Sequence, residues 1–218
     1  MARHAVSTRD RLVLAACQLI WARSYGMAGV DEVCRLADAR KGSFYHFFPS
    51  KAALAVEALA LAWRRVEQEV YGPVDAGPTR GVERLRALVT RLDTFQRSGP
   101  AGGAPFPGSP FGQVGQEMAH QDAELRAAVA DYVEAQCRYL QRWLDEAVDL
   151  EQIPPGDTGA RARRALALVE GALLLAKVSG GPSTFRQVCE ALPALAMAEP
   201  APPAATPNRR PPALPEFD

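Results

Sequence analysis

The stretch from Gly29 to Lys51, GVDEVCRLADARKGSFYHFFPSK, leaves this chain few ways to fold. Val30, Val33, Leu36 and Ala37 recur at helical spacing, and Asp38-Ala39 interrupts the pattern. A second short helix then carries Phe44, Phe47 and Phe48 inward while Lys41, Ser43, Tyr45 and His46 point elsewhere. Two short helices, a tight turn and a cationic, aromatic tip are how a DNA-reading helix-turn-helix is built. One face packs, and the other is left to touch something.

Strand signals are nearly absent along the rest of the chain, so the reading is all-α. A first helix spans about Thr8 to Ser24. Ser50, preceded by Pro49, caps a long helix carrying Leu54, Leu59, Trp63, Val66 and Val70, with Gly72-Pro73 as its end. Val82, Leu85, Leu88, Leu92 and Phe95 form the stripe of a fifth helix that stops at Ser98-Gly99-Pro100. Four prolines and four glycines between Gly99 and Pro110 forbid regular helix there. A short helix follows from Phe111 to about Ala119, then a long amphipathic one through Leu125, Val129, Tyr132, Val133, Gln136, Leu140, Trp143 and Leu144, ending near Val148. Ile153-Pro154-Pro155-Gly156 is a break. From Thr158 to Val178 a further helix is apolar on nearly every side between Leu166 and Ala176, which implies burial on two faces. Ser183 starts a last helix with Phe185, Val188, Cys189 and Leu192, stopped or kinked at Pro193. From Glu199 onward the chain is rich in Pro and Ala and is expected to be a disordered tail.

The 218 residues carry no net charge, but the charge is unevenly spread. Through Lys51 the cations Arg3, Arg9, Arg11, Arg23, Arg35, Arg40, Lys41 and Lys51 outnumber Asp10, Asp31, Glu32 and Asp38, a net of +4, so the remainder carries −4. A basic head on an acidic body suits a protein whose head alone meets polyphosphate. Cys17, Cys34, Cys137 and Cys189 are scattered without a C-x-x-C or a paired His, which suggests reduced thiols, no metal site and no disulfide framework. There is no signal-type apolar core, and the greasy run Ala165 to Ala176 is too short to span a bilayer, so a soluble cytoplasmic protein without membrane contact is expected. No nucleophile elbow, zinc-protease or P-loop motif is present, and His4, His46 and His120 fall in unrelated places, so neither enzymatic activity nor a cofactor is expected.

The run Lys41-Gly42-Ser43-Phe44-Tyr45-His46-Phe47-Phe48-Pro49-Ser50-Lys51-Ala52-Ala53-Leu54 resembles the most recurrent signature of the TetR family of one-component regulators. Ser7-Thr8-Arg9-Asp10-Arg11, followed by Leu12, Ala16, Leu19 and Ile20 and by Arg23-Ser24-Tyr25-Gly26, is similar to that family's first helix and its closing glycine. The specific match covers Thr8 to about Leu54; beyond it the likeness is one of helical layout. Gly29 stands where the family commonly has a capping Thr that touches phosphate, so that contact is lost. Asp38 replaces a customary Gly and tolerates the left-handed turn. Cys34 replaces a usual Ala as a small apolar group, and Arg40 replaces a usual Ser at the recognition-helix cap, placing a guanidinium at the mouth of the major groove. The resemblance implies phosphate contacts from Tyr45, His46 and Lys51, which position without conveying sequence. Base reading then falls to Arg40, Lys41 and Ser43, with Gly42 allowing close backbone approach.

The same resemblance places Trp63, Phe95, Phe106, Phe111, Met118, Tyr132, Tyr139 and Trp143 on the helices and loop that surround an effector pocket. Such an apolar lining suits a lipophilic or aromatic effector better than a sugar or nucleotide. Some relatives carry a redox-sensing Gly-Cys-Pro where this chain has Gly108-Ser109-Pro110, and a hydroxyl cannot do thiol chemistry, which leaves Cys137 as the remaining thiol candidate. Small Gly171, Ala172 and Ala176 permit close helix approach, so Leu166, Val169, Gly171, Ala172, Leu173, Ala176, Phe185, Val188 and Leu192 are the expected interface of a homodimer, packed as four helices.

These readings describe a helix-turn-helix DNA-binding domain over residues 1–52, a helical ligand-binding and dimerisation domain over 53–198, and the tail over 199–218. The expected function is a ligand-responsive, homodimeric repressor released from a palindromic DNA operator by a small apolar molecule. Its rivals are a ligand-binding bundle of the same fold without DNA binding, and an all-α enzyme.

Overall fold

The computed structural model describes residues 6–99, 106–179 and 181–198. The tail expected from Glu199, His4 and most of the Pro/Gly loop between Gly99 and Phe106 lie outside the described residues. Among the described residues every regular element is helical. In chain order these are α1 (Thr8–Ala22), α2 (Val30–Leu36), α3 (Lys41–Phe47), α4 (Lys51–Val66), a π-helical turn (Glu67–Tyr71), α5 (Gly72–Asp75), α6 (Val82–Arg97), α7 (Pro110–Met118), α8 (Ala123–Asp149), α9 (Thr158–Ser179), α10 (Pro182–Cys189) and α11 (Leu192–Met197).

The helix starts follow side-chain chemistry. Ser7, Ser50 and Ser109 each accept the backbone N–H three residues on, opening α1, α4 and α7, and Asp122 accepts those of Glu124 and Leu125 to open α8. Such a cap contributes about 1 kcal/mol. Gly29 and Arg40 make no side-chain cap, so α2 and α3, of seven residues each, depend on packing against α1.

Two prolines behave differently from expectation. Gly72-Pro73 does not end the long fourth helix; α4 passes through the π turn straight into α5, with the Gly72 N–H reaching back to the Glu67 carbonyl. Proline lacks an N–H and crowds the carbonyl four residues before it, and the wider π turn relieves both constraints without breaking the rod. Pro193 likewise begins rather than stops a helix, occupying the first turn of α11 where its missing N–H costs nothing.

α1 packs against α2, α3 and α4; α4 also meets α7 and α8, and α9 lies between α8 and the pair α10 and α11. One continuous apolar core runs from Leu12 to Leu192. Its aromatic centre joins Trp63, Tyr71, Phe111, Tyr132, Tyr139 and Trp143, with neighbouring ring centroids 5.2–6.5 Å apart. At the far end Asp75 accepts hydrogen bonds from Trp143 Nε1 at 2.7 Å and Arg142 Nη2 at 3.0 Å. Burial raises its pKa, but these two bonds with the Arg142 and Arg84 charges outweigh it and hold the carboxyl below its usual range.

Candidate functional site

In the helix-turn-helix, Asp38 takes φ +48°, and Ala39 N–H closes the turn on the Cys34 carbonyl at 2.9 Å. Arg11, which sequence reasoning gave no role, reaches from α1 to donate to the carbonyls of Ala37 (2.8 Å) and Asp38 (3.2 Å). It thereby satisfies the otherwise open end of α2. Phe44 and Phe48 are buried and fix α3 against the head. Phe47 and Leu36, expected to pack inward, are exposed. Each lies three residues after an inner anchor, at the rim of the helix face, while the residues four on, Phe48 and Ala37, take the inner places.

The opposite face of α3 presents Arg40, Lys41, Gly42, Tyr45 and His46 to solvent, with Ser43 half-buried beside them. Lys41 Nζ lies 2.8 Å from Asp31 Oδ1, and this hydrogen bond raises the ammonium's pKa, keeping it charged. Gly42 needs neither a positive φ nor space, since a Cβ there would meet nothing within 4 Å. The fold gives no reason for glycine at this position; close approach of another molecule's backbone would. Lys51 is not displayed in the same way. It is half-buried, with Nζ 4.1 Å from the centre of the Tyr25 ring and 3.5 Å from the Gly26 carbonyl, and desolvation lowers its pKa.

The turn holding Tyr25 and Gly26 is gripped from a second side. Glu117, on the last turn of α7, accepts the Gly26 N–H at 2.6 Å and the Tyr25 N–H at 3.1 Å. Trp21 Nε1 donates to the Gly108 carbonyl at 2.8 Å, and buried Gln96 makes a two-way amide pair with Gly108. The segment leading into α7 is thus fastened to α1 and α6.

α7, α8 and α9 form a cavity of about 340 Å³ that is open to solvent on the side of Val133 and Leu174. Phe111, Val129, Val133 and Leu174 supply apolar walls; Glu170, Lys177, Gln113 and Gln116 supply polar groups. A Cβ at Gly112 would lie 2.7 Å from Glu170 Oε2, so a larger residue there would displace that carboxyl. Glu170 is half-buried at the cavity wall, and desolvation pushes its pKa up to about 7, with a hydrogen bond from Ser109 opposing. Ser109 Oγ also accepts the Gly112 N–H at 3.1 Å. Lys177 Nζ donates to Gln113 Oε1 at 2.6 Å, and Gln113 Nε2 donates to the Ser109 carbonyl at 3.0 Å.

Of the side chains expected around a pocket, Phe111 alone lines this cavity. Trp63, Tyr132, Tyr139 and Trp143 are spent in the aromatic centre, Phe95 packs on Trp21 and Phe106 on Phe185, and Met118 packs on the core. Of the expected dimer residues, Leu166, Val169, Ala172, Leu173, Ala176, Phe185 and Leu192 are buried inside the protomer. Gly171 and Val188 are half-buried. The open side of α9 instead carries Ala167, Gly171, Leu174, Leu175 and Val178, spaced to form one helical stripe. All four cysteines are buried with raised thiol pKa values, Cys17 to about 11 and Cys189 to about 12, chiefly through desolvation. Cys137 shares that state, which keeps its sulfur a thiol. Among the described residues no helix is long and apolar enough to cross a membrane.

Comparison with known proteins matches both ends of this architecture. Residues 12–58 match the "Bacterial regulatory proteins, tetR family" domain, and residues 81–192 match the "Tetracyclin repressor-like, C-terminal domain". The chain is 30% identical over 175 residues to the transcriptional regulator AcuR of Cereibacter sphaeroides, covering 78% of this chain and 77% of that one. It is 30% identical over 97 residues to the HTH-type transcriptional repressor NemR of Escherichia coli K12, covering 44% of this chain and 49% of that one. The crystal structure of regulatory protein TetR from Rhodobacter sphaeroides superposes with a TM-score of 0.76 at 25% identity over 86% of this chain and 98% of that one. The reduced form of E. coli NemR shares the fold, with a TM-score of 0.73 at 23% identity over 89% of this chain and the whole of that one. The helix-turn-helix and the helical body are therefore parts of a DNA-binding transcriptional regulator, and the chain belongs to the TetR family.

Proposed function

We propose that this regulator is a ligand-released repressor, with residues 1–52 as its DNA-binding head and 53–198 as its effector-binding and dimerising body. The observation that carries the DNA-reading part is the solvent face of α3, where Arg40, Lys41, Tyr45 and His46 surround a Gly42 that the fold itself does not require. In this reading Tyr45 and His46 hold phosphates, and Arg40, Lys41 and Ser43 meet base edges. Lys51 acts from behind, bracing the head through Tyr25 and Gly26. A second copy covers the apolar stripe of α9, and the two recognition helices then face an approximately palindromic operator with half-sites about one helical turn apart. The stripe shares Gly171 and Leu174 with the rim of the cavity, so the second copy also narrows its mouth. Release as the direction of response is supported by the repressor named among the relatives.

The effector site is the cavity between α7, α8 and α9, and two rigid connections lead from it to the head. Phe111 in its wall packs on Trp63 of α4, whose first residue, Lys51, sits on Tyr25. α7, which forms one side, carries Glu117 on its last turn, against the Tyr25 and Gly26 amides. A ligand that prefers one placement of α7 shifts the head only through that difference in affinity.

Duplexes selected from a random pool at low salt test the reading in a mobility-shift assay. Binding should weaken by about a thousandfold or more between ~50 and ~200 mM salt if six or more phosphates are held. Lys41→Ala combined with Tyr45→Ala should abolish the selected shift while leaving the protein folded. A wild-type chain that selects no duplex overturns the DNA-reading part and leaves the two rivals, the ligand-binding bundle and the all-α enzyme.

A further inference from the structure

The polar groups of the cavity are unequally satisfied. Lys177 and Glu170 are both half-buried, and the Lys177 ammonium already has a close acceptor in Gln113 Oε1. Glu170 lies seven residues earlier on α9, about 10 Å away along the axis. Its carboxyl, desolvated at the cavity wall, has the Ser109 hydroxyl as donor, and among the described residues no Lys, Arg or His forms an ion pair with it. Its Oε2 would lie 2.7 Å from a Cβ placed on Gly112, and the other walls are Phe111, Val129, Val133 and Leu174. A carboxyl in such surroundings either holds its proton or, when charged, is stabilised by a positive partner, because buried charge is tolerated when paired and hydrogen-bonded. The space, near the lower end of the usual range for ligand sites, takes a small molecule.

We propose that the effector is a small apolar amine, bound as a cation with its ammonium on the Glu170 carboxylate and its body between Phe111, Val129 and Leu174. This assignment rests on reading the cavity as the effector site. Lys177 stays with Gln113 at the far end, where it disfavours a second positive group and sets the ligand's direction. Ser109 orients the carboxylate from the N-cap of α7, so an ammonium that draws Glu170 toward itself acts on the helix that carries Glu117 on its last turn.

The test compares three probes that share one body: phenethylamine, phenethyl alcohol and phenylacetate, titrated calorimetrically into the full chain. The amine should bind about tenfold or more tightly than the alcohol, as expected for a charge-assisted hydrogen bond, and phenylacetate more weakly still. Glu170→Gln, verified as folded by its melting curve, should bring the amine to the level of the alcohol without changing the alcohol. Equal binding of all three by the wild-type chain, or a preference for phenylacetate, overturns the cationic class while leaving the cavity as a ligand site. Failure of all three to bind overturns the class and the site together. An amine preference that survives in folded Glu170→Gln removes Glu170 from the recognition.

Discussion

Glu117 Oε1 accepts the backbone N–H of Gly26 at 2.6 Å, joining residues 91 positions apart. The same carboxylate takes the Tyr25 N–H, and Lys51 approaches the Gly26 carbonyl from the other side. A two-residue turn therefore joins α1, α4 and α7, and the head can move only as those three helices allow.

Glu117→Ala should free this turn. The Tyr25 and Gly26 amides should lose hydrogen-exchange protection, and global stability should fall by about 1 kcal/mol, the usual net value of such bonds in a partly exposed place. Gly26→Ala should give a similar result from the opposite partner, since its Cβ would overlap the Glu117 carboxylate. Unchanged protection of both amides in Glu117→Ala would show that the turn is held by other contacts.

For the dimer, burial separates two substitutions that look alike in sequence. Ala172 is fully buried in the protomer, so Ala172→Glu should unfold the body, by several kcal/mol as for an unpaired buried charge. Leu175 is 49% exposed, so Leu175→Glu should leave the isolated protomer intact and halve the mass in analytical ultracentrifugation. A dimeric Leu175→Glu protein with a native helical spectrum would place the interface off this stripe.

The helix-turn-helix was legible in the sequence because its signals are local. Val33, Ala37, Phe44 and Phe48 lie at helical spacing, Asp38 is one of the few residues suited to a positive φ, and each signal spans a few positions. The apolar circumference of α9 was equally plain, but which residues face inward was not. At 100° per residue Leu173 falls inside and Leu174 outside, and only docking against α8 and α10 decides between them. The aromatic residues met the same limit. Periodicity marks an interior surface without saying whether side chains or a ligand fill it, and Trp63, Tyr132, Tyr139 and Trp143 fill theirs with one another. Arg11, Glu117 and Glu170 had no local signature, because each takes its meaning from a partner in a distant segment.

Glu170 should also leave a mark on stability against pH. Its folded pKa, about 7, lies above the ordinary 4.5, so the folded state holds the proton more tightly than the unfolded chain. The associated stability is complete below the unfolded value and is lost as pH rises through about 7. Glu170→Gln removes that loss. The variant should exceed the wild type by roughly 2–3 kcal/mol at about pH 8, with the gap closing toward about pH 4.5. Chemical denaturation across this range measures it, and parallel profiles would mean that the carboxyl is as well solvated in the fold as outside it.

The two connections from cavity to head differ in a way that mutation resolves. Trp63 touches Phe111 edge-on at 6.2 Å, and Phe111 belongs to the cavity wall, so Trp63→Ala interrupts the path along α4. Glu117→Ala interrupts the path along α7 at its last contact. Trp63 is half-buried in the aromatic centre, so its truncation costs stability, by about 3 kcal/mol or more, but it lies outside the solvent face of α3 proposed to read DNA. Effector-free operator affinity should therefore stay near wild type in both variants at temperatures where they are folded. Coupling in such systems runs to about 1–3 kcal/mol, or roughly 5–150-fold weaker DNA binding on saturation with ligand. Each single variant should lose part of that ratio. If both helices press on the one turn at Tyr25 and Gly26, the losses should be non-additive, with the double variant retaining little less response than the weaker single. Strict additivity in the double-mutant cycle would mean two independent routes to the recognition helix, and a full response in Glu117→Ala would leave α4 as the lever by itself.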